Sequence, residues 1–239
     1  MNRRNLPPTL IALMLIAGAT QAFNLTPMST TFDPAGNGSA RSFRVENETS
    51  NRVDFQIAML TREMTDDGQE TNQVAANLFT IFPPQGTINP GQSQTVRVLW
   101  KGDKNPTNEL CFRIEAVELP INRVPEKNKA EIKVLLRYLG AVYVQPRNAK
   151  PKLQVTGFTR TPTNTYLMVV ANTGNAHQPL TDPMLTLTDA QGRITKVPTE
   201  QLNGIAGQNI LGKHTRQFTL SLPPEFKEDR YEAKLTARE

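Results

Sequence analysis

The chain has 239 residues and a formal net charge of +5, with 38% hydrophobic, 21% charged and 6% aromatic residues, 18 Pro, 14 Gly, one Cys and two His. That length fits one large domain or two small ones, and the apolar and charged fractions are those of folded chains rather than disordered ones. The single Cys111 excludes an internal disulfide framework and a cysteine-based zinc site, while His177 and His214 lack the spacing of a His-rich metal centre.

Residues 1–22 read as an export signal. Arg3 and Arg4 are followed by the apolar stretch Leu10 to Ala19 and by Thr20-Gln21-Ala22, which ends in a small residue. The apolar run is shorter than the ~20 residues that span a bilayer, so export is expected rather than anchoring. No later segment is apolar for long enough to leave an integral membrane segment after signal cleavage.

Beyond it, short segments rich in β-branched and apolar residues alternate with Pro, Gly, Asn and Asp, the spacing of an all-β sandwich. Strands are expected at 25–32, 40–47, 53–62, 78–82, 94–100, 110–119 and 131–145. The turns between them are Asp33-Pro34-Ala35-Gly36, Asp66-Asp67-Gly68, Asn89-Pro90-Gly91 and Gly102-Asp103. The segment from Gln145 to Pro151 carries two prolines and no apolar alternation, and reads as a linker. A second β domain follows, with strands expected at 152–158, 165–172, 184–188, 193–197, 214–222 and 230–238. The expected division is therefore 1–22, 23–146 and 147–239. No segment sustains a helical period with capping signals at both ends.

Catalytic motifs are absent: no Gly-x-Ser-x-Gly elbow, His-Glu-x-x-His helix, P-loop or Ser-x-x-Lys box occurs. Glu63, Asp66, Asp67 and Glu70 cluster in eight residues, but a solvated hairpin tip explains them better than a calcium site. Cys111 lies among apolar residues on an expected strand, the setting of a buried inert thiol. Lys and Arg are dispersed, without a basic tract, RNP motif or zinc finger, so nucleic acid is not an expected partner. Neither enzyme activity, a metal nor a cofactor is expected.

The informative stretch runs from Glu131 to Val144. Side chains alternate along a strand, so Ile132, Val134, Leu136 and Tyr138 share one wholly apolar face, while Lys133, Leu135, Arg137 and Leu139 share the other. At about 14 residues this is more than twice an ordinary strand, and it serves either as the spine of a sandwich or as an edge meant to pair with another chain.

Four stretches, in order, resemble the periplasmic chaperones of the chaperone/usher pathway. They are Phe82-Pro83-Pro84 with Ile88-Asn89-Pro90-Gly91 to Val98; Asn108 to Ile114 with Glu118-Leu119-Pro120; Val134-Leu135-Leu136-Arg137-Tyr138; and Val142-Tyr143-Val144-Gln145-Pro146. The match covers residues 24–146 well and the second half weakly. The Leu-Arg-Tyr pattern is similar to the archaic and alternative branches of that family. The resemblance implies an all-β chain of two immunoglobulin-like β-sandwich domains in a boomerang arrangement. It also implies a periplasmic protein that binds, folds and caps pilus or fimbrial subunits by donor-strand complementation and delivers them to an outer-membrane usher, without a cofactor.

On that resemblance the subunit's groove is filled by Ile132, Val134, Leu136 and Tyr138. The best-known members hold the subunit's terminal carboxylate with an Arg and a Lys, at positions that are Ser29 and Ala141 here, and carry an Arg where this chain has Gln145. The substitute anchor is then expected to be Arg137, on the face of Ala141 and about 13 Å along the strand, assisted by Arg113. Arg97 and Glu109 are expected to form a structural ion pair near the cleft. The competing reading is an exported two-domain adhesin or carbohydrate-binding protein, which one Trp and four Tyr equip poorly for stacking on sugars.

Overall fold

The computed structural model describes residues 23–120 and 135–238, so the signal region 1–22 and the expected groove residues Ile132 and Val134 lie outside it. Eleven strands precede Gln145: β1 (Phe23–Thr26), β2 (Ser29–Phe32), β3 (Ala40–Asn47), β4 (Val53–Thr61), β5 (Glu63–Met64), β6 (Glu70–Thr71), β7 (Phe79–Phe82), β8 (Gln85–Ile88), β9 (Ser93–Trp100), β10 (Leu110–Leu119) and β11 (Arg137–Val144). One sheet runs β1-β3-β9-β7 and the other β2-β11-β10-β4-β8, while β5 and β6 form a small hairpin of their own.

Period-two alternation explains why the two sheets face each other. Val53, Phe55, Ile57 and Met59 of β4, Val96, Val98 and Trp100 of β9, and Phe112, Ile114 and Ala116 of β10 all point inward and are buried in one core. Phe79 sits among rings, edge-on to Phe112 at 4.9 Å, to Trp100 at 5.1 Å and to Phe32 at 6.0 Å. Edge-to-face packing places positive ring rims on negative ring faces. The Trp100 indole N–H is satisfied by the Asp103 carbonyl at 2.9 Å.

The expected single strand at 25–32 is two strands in two sheets. β1 pairs antiparallel with β3, and after Pro27 and Met28 the chain crosses over so that β2 pairs parallel with β11. Pro27 has no N–H to give to a ladder, which makes it a natural crossing point. The β5–β6 hairpin closes the turn expected at Asp66-Asp67-Gly68, while β8, four residues long, had no sequence signal of its own.

The second sandwich holds β12 (Leu153–Arg160), β13 (Tyr166–Asn172), β14 (Gln178–Pro179), β15 (Thr181–Thr188), β16 (Ile194–Val197), β17 (Asn209–Ile210), β18 (Thr215–Leu220) and β19 (Glu232–Arg238). Its sheets run β12-β13-β18 and β16-β15-β19, with β14 and β17 paired separately. Tyr166, Met168, Val170, Leu185, Leu187 and Leu220 lie in a core separate from the first. Helix among the described residues is limited to two short 3-10 turns, 36–39 and 199–201.

Candidate functional site

β11 is a strand with one partner along half its length and two along the rest. It pairs with β10 from Arg137 to Val144, but β2 covers its other edge only from Ala141 onward. The Ala141 amide donates to the Met28 carbonyl at 2.8 Å and the Gln145 amide to the Phe32 carbonyl at 3.0 Å. Amides on that edge therefore belong to odd-numbered residues, and those of Arg137 and Leu139 meet no strand among the described residues. Gly140 marks the step: a Cβ there would lie 2.8 Å from Ile114 Cγ2 and 3.2 Å from the Met28 carbonyl oxygen, so only glycine lets β2 approach.

Leu136 and Tyr138 are on the face of β11 that continues into buried Val142 and Val144. Both are partly buried against the first core, and the Tyr138 ring lies 5.8 Å from that of Phe23. They lie beside the edge that has no strand partner among the described residues. Leu135, on the other face, is 43% exposed.

A row of residues crosses the sheet at the step. Ser29 pairs with Ala141, Ala141 with Arg113, and Arg113 with Leu60. The two positions that lack a cation are thus side by side, and the strand next to them supplies Arg113. Its guanidinium binds Glu70 side-on, Nε to Oε2 at 2.9 Å and Nη2 to Oε1 at 2.7 Å. Arg62, whose side chain is only 5% exposed, binds the same Oε1 through Nε at 2.9 Å and Nη2 at 2.7 Å. Burial pushes the Glu70 carboxyl up, but the hydrogen bonds from Arg113 and Arg62 outweigh that and hold it below its ordinary value.

The same cluster continues into the joint between the sandwiches. Arg62 Nη1 donates to the Tyr143 hydroxyl at 2.9 Å, and Asn209 Nδ2 of the second sandwich donates to it at 2.7 Å. Tyr143 stacks on His177 with ring centroids 3.6 Å apart and planes 3° from parallel. His177 Nδ1 lies 2.8 and 2.9 Å from the two Glu109 oxygens, and its backbone N–H donates to Oε1 at 2.9 Å. Arg216 of β18 is buried under the hairpin tip, where the Gln217 amide donates to the Asp66 carbonyl at 2.7 Å. Burial lowers the Arg216 pKa.

One expected contact is not formed. Arg97 and Glu109 do not pair: Arg97 projects from β9 in the opposite sheet, while the Glu109 side chain is fully buried on His177. Glu109 lies immediately before β10 at the joint, and its ring partner there, His177, comes from the second sandwich. Arg137, the leading anchor candidate, pairs with Glu115 at 2.5 Å on an exposed surface, four residues from the Ala141 row. Arg113, the assisting candidate, is the one placed in that row. The acidic hairpin is a hairpin, yet Glu70 is not solvated but held between two arginines. Among the described residues no group of His, Cys, Asp and Glu is arranged to hold a metal.

Arg62, Asn209 and Arg216 were not singled out in the sequence, and Glu70, Tyr143 and His177 were named there only in other roles, because most of their partners are distant in the chain. Arg62 left a trace: an arginine closing an otherwise apolar strand, with Glu70 eight residues on across a hairpin, is a pair waiting for burial.

The family described as pili and flagellar-assembly chaperone, PapD N-terminal domain, matches residues 24–150. No curated protein matches the sequence significantly. Among solved structures, a chain of the CsuC-CsuE chaperone-tip adhesion subunit pre-assembly complex, from the archaic Csu pili of Acinetobacter baumannii, aligns with TM-score 0.61 and 16% identity over 90% of this chain and 97% of that one. The class 5 fimbriae chaperone CfaA aligns with TM-score 0.56 and 14% identity over 91% of this chain and all of that one (100%). A chain of the Salmonella enterica SafA pilin complex with the SafB chaperone aligns with TM-score 0.54 and 14% identity over 85% of each. At these identities the likeness is one of fold.

Proposed function

The chain belongs to the family of pili and flagellar-assembly chaperones, and on that footing we propose that it is a periplasmic chaperone that folds and caps pilus or fimbrial subunits by lending them a strand, then passes them to an outer-membrane usher. The observation that carries this reading is the half-paired β11. Its Arg137 and Leu139 amides face an edge with no strand partner among the described residues, beside the half-buried Leu136 and Tyr138. A subunit strand laid on that edge gains backbone hydrogen bonds, and its groove receives apolar side chains from the inward face. By alternation in the sequence Ile132 and Val134 belong to the same apolar set as Leu136 and Tyr138, and both lie outside the described residues. Fully burying each is worth about 1.5–3 kcal/mol before ordering costs. The reaction is binding; no bond is made or broken, and no cofactor takes part.

The terminal carboxylate of the subunit is anchored by Arg113, with Arg137 as the outer cation. Support comes from the row Ser29–Ala141–Arg113, which moves a guanidinium one strand over from where the cation is missing. Export to the periplasm rests on the signal-like residues 1–22.

The test is to purify tagged wild-type protein and the Val134→Asp and Leu136→Asp variants from periplasm. A charge in an apolar groove is far costlier than a lost methyl group. Wild type is expected to carry a small β-rich exported subunit in near-equal amount, and both variants to lose it while still melting cooperatively, Leu136→Asp at a lower temperature because Leu136 also packs on the first core. Undiminished subunit in both variants overturns the strand-lending reading.

A further inference from the structure

We propose that Glu70 is a built-in stand-in for the subunit's terminal carboxylate, occupying the Arg113 guanidinium in the free chaperone and yielding it when a subunit binds. This rests on the reading that Arg113 is the anchor, and adds a competitor inside the chaperone that sets how strongly a carboxylate is favoured.

Geometry is the first support. Glu70 meets Arg113 through two parallel bonds, Nε to Oε2 at 2.9 Å and Nη2 to Oε1 at 2.7 Å. A chain-terminal carboxylate would choose the same side-on fork, because a planar guanidinium matches a planar carboxylate there. The site that an arriving carboxylate needs is already filled by one.

Charge is the second. Arg62 and Arg113 share the single Glu70 carboxylate, so this half-buried group of three carries one positive charge in excess. Oε1 accepts from both arginines and Oε2 from Arg113 alone. A second carboxylate would balance the group. Glu70 could then remain on Arg62, which also keeps the Tyr143 hydroxyl at 2.9 Å, so no buried guanidinium is stranded.

Placement is the third. Glu70 stands on β6, two residues long, in a hairpin whose ladder is separate from both sheets of the first sandwich. The hairpin is tied to the end of β4 by the Thr61 amide on the Gln73 carbonyl, and its tip to the second sandwich through Asp66 and Gln217, so that it is the Glu70 side chain, not the hairpin, that gives up Arg113. Arg113, by contrast, sits in the middle of β10 between β4 and β11 and stays put.

The probe is a labelled peptide of two lysines followed by alternating valine and threonine, made with a free C-terminal carboxylate and as its amide. Binding of both forms to the full-length chaperone is measured for wild type, Glu70→Gln and Arg113→Ala. The expected result is a modest preference for the carboxylate form in wild type, an increase of that preference by about threefold or more in E70Q, and its loss in R113A. If R113A loses the preference but E70Q does not raise it, the stand-in is overturned and the anchor survives. If R113A keeps the wild-type preference, the anchor falls and the stand-in with it. Because E70Q also removes a charge beside buried Arg62, melting is recorded in parallel. Should E70Q fail to melt cooperatively, Glu70→Asp, which keeps the charge but draws it back by one methylene, is expected to raise the preference, and an unchanged preference there is equally fatal.

Discussion

Tyr143 and His177 lie face to face, 3.6 Å apart and 3° from parallel, although one ends the half-paired strand of the first sandwich and the other belongs to the second. The half-paired strand is thereby fixed at its far end by the neighbouring domain. Tyr143→Phe keeps the stack but loses the bonds from Arg62 and Asn209. The expected cost is about 1–2 kcal/mol in chemical denaturation. His177→Ala leaves the buried Glu109 carboxylate without its ring partner, and about 1–3 kcal/mol is expected to be lost. A change below 0.5 kcal/mol, roughly the noise of a surface substitution, would show that the stack is incidental.

Glu70 gives the fold an acid dependence whose sign is fixed. Its carboxyl is held below the ordinary 4.5 in the folded chain. The unfolded chain therefore takes up the proton first as pH falls, and the stabilisation from Glu70, complete above 4.5, drains away as pH drops through the folded value. Melting followed between pH 6 and pH 3 is expected to fall more steeply for wild type than for Glu70→Gln. Parallel curves would remove Glu70 as a contributor.

Cys111 is expected to be chemically quiet. Burial, then the neighbouring Glu109 carboxylate, pushes its thiol up to about 12, so almost no thiolate exists at neutral pH. Reaction with a disulfide reagent at pH 7.5 should be slow in the folded protein and fast in denaturant, and equal rates would contradict the assignment.

Asn172 braces the second sandwich. It donates to the Ala176 and Ile210 carbonyls at 2.7 and 3.1 Å and accepts from the Lys152 and Gly174 amides at 2.9 and 3.1 Å. Asn172→Ala would orphan four backbone groups, at a cost of about 2–4 kcal/mol read from urea unfolding.

The expected strands 40–47 and 110–119 match β3 and β10 to the residue, whereas the described part of the strand expected at 131–145 begins only at Arg137. What alternation does not encode is a change of sheet, so 25–32 read as one strand and proved to be two on either side of Pro27. The face carrying Leu136 and Tyr138 was readable for the same reason that β3 was. The cleft was not, because Arg113 and Glu70 are 43 residues apart and Glu109 and His177 are 68 apart. Arg97 was paired with Glu109 on expectation alone, and the sheet order puts it in the other layer.

The most direct measurement is amide hydrogen exchange on β11, free and in a subunit complex. Tyr138 and Gly140 face β10 and bond there already, whereas the amides of Arg137 and Leu139 face the edge that has no strand partner among the described residues. Strand lending predicts that Arg137 and Leu139 exchange rapidly in the free chaperone and become strongly protected in the complex, with Tyr138 and Gly140 nearly unchanged. A complex in which Arg137 and Leu139 still exchange at the free rate would contradict the account.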